Sequence, residues 1–190
     1  MFATLLARFP DYTIAAKPAP ELIARYRDQI PPELLAVWEQ YGFGSFCKGY
    51  LKIVNLDDYT DLLADTYQLV SLPSATPAIV LFATAMGDLL VLERGYLVLI
   101  FYRYGNTDTV GKTVKLFFRA IAEDSYLIDI LRWEPYLAAC ERLGEPAFDE
   151  CFGYVPLLAL GGPETAEHLE KVKLREHIAL ISQFTGLLER

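Results

Sequence analysis

A chain of 190 residues, 53% of them hydrophobic, has the material for one packed core, or for a core with a small second unit. That composition excludes disorder throughout, and the longest apolar run, residues 96–102, is far too short to cross a bilayer. The net charge of −8 is spread evenly, with 7 basic against 11 acidic side chains in residues 1–95 and 10 against 14 in residues 96–190. Such a chain is repelled by phosphate backbones, so direct nucleic-acid binding is not expected. Residues 1–12 carry Arg8 and Pro10 and lack a basic start, unlike a signal peptide. Cys47, Cys140 and Cys151 are odd in number and lack metal-type spacing, which reads as reduced, buried thiols. The expected compartment is the cytoplasm.

Taken in order, residues 4–9 read as a short helix and residues 20–29 as a second, with Leu22, Ile23 and Tyr26 on its apolar side. Pro31 and Pro32 suit the start of a third at 32–41, because proline has no N–H to leave unpaired there. Leu34, Leu35, Trp38 and Tyr41 give that helix one broad apolar face, and Gly42 and Gly44 end it. A strand is expected at 50–54 and a helix at 56–67, with Asp57 and Asp58 in its favourable first turn. Residues 78–85, 89–92 and 96–104 read as strands joined by short turns, hence an antiparallel meander. Leu97 to Phe101 does not alternate, which points to a central strand covered on both faces. Residues 105–112 read as a loop. Helical patterns recur around Leu116 to Ile121, Tyr126 to Leu131, 134–143 and 174–188, with extended segments at 152–160 and 171–174 between them. Helices beside an antiparallel sheet make the class α+β.

The catalytic inventory is thin. Residues 104–113, YGNTDTVGKT, look like a phosphate loop, but the position five before Gly111 is Asn106, so the spacing fails and a hairpin or interdomain loop is expected. His168 and His177 are nine apart and do not share a helix face as a zinc pair would. No cofactor or metal signature is present. The acidic pattern says more. No Lys or Arg occurs from residue 53 to 93, while Asp57, Asp58, Asp61, Asp65, Asp88 and Glu93 all do. Asp57, Asp61 and Asp65 fall on one helix face, opposite Tyr59, Leu62, Leu63 and Thr66. A second base-free window, 143–170, holds Glu145, Asp149, Glu150, Glu164, Glu167 and Glu170. These windows are either a solvated surface or an anionic docking face for a basic protein. Tyr59 and Tyr67 would be its anchors if exposed, although the periodicity turns Tyr59 inward.

The stretch IPPELLAVWEQYGFGSF at 30–46, followed by Gly49-Tyr50-Leu51 and Val54-Asn55, closely resembles the GAD-like domain, which is similar to the SUKH superfamily of bacterial immunity proteins. The stretch FGYVPLLALGG at 152–162, with 169–188 after it, looks like the C-terminal domain of immunity proteins against type VI secretion DNase effectors. Lys52-Ile53 departs from the more apolar, Trp-containing pair expected there. The resemblance implies a SUKH-like α+β fold with a C-terminal helical and β appendage, divided as 1–110 and 111–190 and packed as one unit. It further implies a non-catalytic protein that binds and neutralises a cognate nuclease toxin. A DNase carries basic residues along its DNA cleft, so the base-free windows make Asp57, Asp58, Asp61, Asp65, Asp88 and Glu93 the candidate partner-binding face. The alternative is a small-ligand-binding regulatory module whose pocket is lined by Phe43, Phe46 and Tyr50.

Overall fold

The computed structural model describes residues 10–70 and 77–190, so the helix expected at 4–9 lies outside the described residues. Within them, seven strands form one antiparallel sheet in the order β1 (Thr13–Ala16), β2 (Phe43–Phe46), β3 (Leu51–Ile53), β5 (Ile79–Thr84), β6 (Leu89–Glu93), β7 (Tyr96–Phe101) and β8 (Asn106–Gly111). Spatial order follows chain order, and from β5 through β8 short connections leave each strand no other neighbour. Two connections are longer: α1 (Pro20–Tyr26) and α2 (Pro32–Gln40) lie between β1 and β2, and a 3-10 turn at Leu56–Tyr59, then α3 (Thr60–Thr66) and the short β4 (Tyr67–Gln68), lie between β3 and β5.

The non-alternating strand is explained by two cores. Leu97, Leu99 and Phe101 of β7 point into one, and Val98 and Ile100 into the other. A period of two divides an all-apolar run between two faces, and burying each of these side chains contributes about 1.5–3 kcal/mol. The strand is covered on both faces but lies one from the edge, beside β8. That edge strand occupies the stretch expected as a loop: Gly105, at φ +65, closes the turn after Tyr102–Tyr104, and β8 pairs back along β7 as a hairpin.

The first core is roofed by α1 (Pro20–Tyr26), α2 (Pro32–Gln40), α4 (Val114–Ala120), a π-helical turn at Tyr126–Ile130 and α5 (Glu134–Leu143). Leu34 and Trp38 of α2 are fully buried, and Phe82 of β5 meets Phe117 and Phe118 at ring separations of 5.3 and 5.9 Å. Gly42 ends α2 at φ +85, and a Cβ there would lie 2.5 Å from the Ala16 carbonyl. Only glycine both makes this turn and lets β1 come that close. The second core is roofed by α3 and α6 (Leu174–Thr185), through Leu62, Leu63, Leu174, Ile178 and Ile181.

The hairpin of β9 (Glu150–Tyr154) and β10 (Leu169–Lys173) packs at the end of the sheet. Phe152 N–H donates to Ala85 C=O at 2.7 Å. Lys52 of β3 supplies a second tie. Its ammonium, fully buried, donates to the carbonyls of Ala147 (2.8 Å), Phe148 (3.1 Å) and Glu150. Burial lowers this amine to about 8, so it still carries its proton at neutral pH. Three donors meeting three carbonyls account for a lysine where an apolar residue was expected.

Candidate partner-binding face

The acidic helix begins at Asn55, whose side chain accepts from Asp57 N–H at 3.4 Å and donates to Asp58 at 3.0 Å. This cap fixes the 3-10 turn and points Asp57 and Asp58 outward. Through α3 the apolar spacing takes Leu62, Leu63 and Thr66 inward and leaves Asp61 and Asp65 exposed. Thr66 joins the core by donating to Leu62 C=O at 2.6 Å and sharing a 2.7 Å hydrogen bond with Tyr102. Four aspartates are thus exposed along this segment. Asp57 is partly neutralised there: Arg25 of α1 pairs with it at 2.9 Å and the Tyr26 hydroxyl donates to it at 2.5 Å. Exposed pairs of this kind contribute under about 1 kcal/mol, so the contact orients α1 more than it stabilises the fold.

Two of the six expected acids are not on this surface. Asp88, in the turn from β5 to β6, is fully buried, with Oδ2 3.1 Å from Arg103 Nε. Burial pushes its carboxyl up to about 6 against the opposing pull of Arg103, so it is ionised at neutral pH, but inside the protein. Glu93 is 5% exposed; it accepts from the Tyr67 hydroxyl at 2.8 Å and from Arg190 at 2.7 Å. Each acid balances a cation that the chain brings from elsewhere, so neither belongs to the exposed acidic face. Tyr59 and Tyr67 are buried too and cannot be contact anchors. Tyr59 lies 6.0 Å under the Arg175 guanidinium, and burial with the Glu93 hydrogen bond pushes Tyr67 up to about 12.

The second base-free window is also offset in space. Lys173 of β10 pairs with Asp149 at 2.7 Å and Glu150 at 3.4 Å, and the Tyr104 hydroxyl donates to Glu164. The lysine bond holds Asp149 below the usual carboxylate range, and the Ala147 N–H does the same for Glu150.

The aromatic residues of the glycine bend form core, not pocket. Phe46 and Tyr50 are fully buried, and Phe43 packs edge-on against Trp38 at 4.9 Å, reaching a surface groove only at its rim. The Tyr50 hydroxyl donates to Leu131 C=O at 2.5 Å, and its ring lies between Trp133 (6.0 Å) and Tyr136 (5.2 Å). The small-ligand alternative thereby loses its residues. Among the described residues no cluster of His, Cys, Asp and Glu is arranged to hold a metal, and no helix is long and apolar enough to cross a membrane.

Comparison with known proteins places this geometry. No curated protein matches the chain. A crystal structure of Atu4351 from Agrobacterium tumefaciens superposes with a TM-score of 0.80 at 17% identity, over 96% of this chain and 89% of that one, and so shares the fold. Residues 1–101 match the family model of the GAD-like domain, and residues 111–185 match that of the T6SS immunity protein Tdi1, C-terminal. The chain belongs to the GAD-like family and carries, after that domain, the C-terminal domain of a type VI secretion immunity protein.

Proposed function

We infer that this protein neutralises a cognate nuclease toxin of a bacterial secretion system by binding it stoichiometrically in the cytoplasm. The observation that carries this reading is the match of residues 111–185 to the Tdi1 immunity domain. Its nuclease part is supported by charge. A DNase needs basic residues along its DNA cleft, and α3 presents Asp61 and Asp65, with Asp57 and Asp58 beside them, to a partner of that charge. In this reading the units 1–110 and 111–190 pack as one body, a packing supported by the bonds from Lys52 to residues 147, 148 and 150.

The test is to purify the product of the neighbouring gene and titrate it with this protein while following DNA cleavage. Cleavage is expected to fall to zero at one equivalent. A nuclease that stays fully active and forms no complex would overturn the reading.

A further inference from the structure

The contacts of Glu93 describe a site as well as a correction. Residues 188–190 run alongside β4: β11 (Leu188–Glu189) pairs in parallel with Tyr67 and Gln68, Arg190 N–H donates to Gln68 C=O at 3.0 Å, and Val70 N–H donates to Arg190 C=O at 2.9 Å. At the end of this short strand the Arg190 guanidinium donates to Glu93 at 2.7 Å and to Thr109 Oγ1 at 2.6 Å. Glu93 and Leu69 line two adjoining cavities of about 530 and 340 Å³; the first is walled by Leu63, Tyr67 and Val80, and Arg190 borders the second. The chain therefore holds, against a strand edge, an extended segment whose arginine fills an acidic recess.

Three observations make this segment exchangeable. Its strand pairing covers only two residues, and so short a ladder adds little stability by itself. It joins α6 through Gly186, at φ +81, with open space around the position where a Cβ would stand. Leu187, which leads into it, is exposed. Segments with few buried contacts open far more readily than core strands. What opens is specific: unpaired backbone groups along β4, and a nearly buried carboxylate left, among the described residues, with the Tyr67 hydroxyl. A competitor must restore both, which an extended segment carrying an arginine does by strand addition. The acidic face of α3 leads directly into β4 and favours the approach of a basic chain.

We propose that the β4 edge with Glu93 is a docking groove for an extended, arginine-bearing segment of the cognate toxin, and that residues 188–190 are its built-in placeholder. The site itself follows from the contacts above; the toxin as occupant rests on the immunity reading. The experiment uses the full chain and a fluorescein-labelled peptide of residues 186–190. Arg190→Ala should bind this peptide at least tenfold more tightly than the unmodified chain, and adding Glu93→Gln should remove that gain. A folded Arg190→Ala chain that binds no peptide overturns the groove. In the unmodified chain, hydrogen exchange at Val70 and Arg190 should run at least a hundredfold faster than at Val98; exchange as slow as in the sheet centre overturns the exchangeable strap. With the toxin, Arg190→Ala should raise affinity several-fold and Glu93→Gln lower it about tenfold. Equal affinity for all three chains overturns the toxin as occupant, whereas a toxin that binds none of them defeats the immunity reading and leaves the peptide result standing.

Discussion

Gly153 of β9 lies flat beneath the imidazole of His177. A Cβ at position 153 would come within 2.9 Å of Nδ1 and closer still to Cε1 and Nε2. The ring also approaches Gly87, where a Cβ would stand 3.5 Å from Cδ2. The imidazole of α6 thus packs against two glycines, one in β9 and one in the turn from β5 to β6. Gly153→Ala is expected to destabilise the fold by about 2–3 kcal/mol, since the added methyl would overlap the imidazole. Combining it with His177→Ala should return about 1 kcal/mol or more of that loss. Urea titration of the two single variants and the double reads the coupling, and strictly additive losses would show that the clash was relieved elsewhere.

The same burial sets a pH dependence. His177 is lowered to about 4 from its ordinary 6.5 by desolvation, so the folded protein keeps it neutral. Between pH 6.5 and 4 the unfolded chain binds a proton that the folded chain refuses, and stability falls as pH falls, on the order of 3 kcal/mol across the window. Asp88 works in the opposite direction. Its raised value, about 6, means that the folded chain holds a proton between pH 6 and 3.8 that the unfolded chain has released, so acidification there favours the fold. The two contributions oppose one another in the parent protein. His177→Gln removes only the first, so the stability of the parent relative to this variant should decline by about 3 kcal/mol from pH 7 to pH 4. A difference that does not change with pH would mean that the imidazole takes up a proton in the fold as readily as in the unfolded chain.

Lys52→Met keeps the unbranched apolar stem and removes the ammonium. The carbonyls of Ala147, Phe148 and Glu150 then lose their shared donor. A loss of about 2–4 kcal/mol is expected, with faster proteolysis near residues 147–150. A Tm within a degree of the parent would show that water serves those carbonyls equally well.

Acids on and off the surface should behave oppositely. Asp88→Asn leaves Arg103 buried beside a neutral partner and should cost about 3–5 kcal/mol. Toxin affinity measured well below its Tm should not change. Asp61→Lys with Asp65→Lys should leave the Tm nearly unchanged, slow toxin association tenfold or more, and flatten its salt dependence. Unchanged association kinetics for this pair would remove α3 as the docking face.

How much of this was readable beforehand depends on the range of each signal. Pro31 and Pro32, the apolar spacing of α2, and the i, i+4 positions of Asp61 and Asp65 act within a turn or two, and the structure places them as the spacing implies. Asp88 and Glu93 sit in the same base-free window but are neutralised by Arg103 and Arg190, the latter 97 positions from Glu93. Counting charge along the chain does not register such partners. β8 read as a loop because an edge strand with one face in water uses the same Asn, Thr, Asp and Gly that turns do. Lys52 stood out only as a departure from an expected apolar pair, and its meaning appeared once residues 147–150 were seen beside it.

The two-sided burial of β7 has a consequence for the way the chain comes into being. Val98 and Ile100 are roofed by Leu174, Ile178 and Ile181, which are synthesised some eighty residues later. At ordinary ribosomal speeds that interval is roughly 4–17 seconds. For its duration that face of the meander is covered by α3 alone, at the stage when neighbouring nascent chains are closest. Any pause in translation between residues 101 and 174 prolongs this half-covered state.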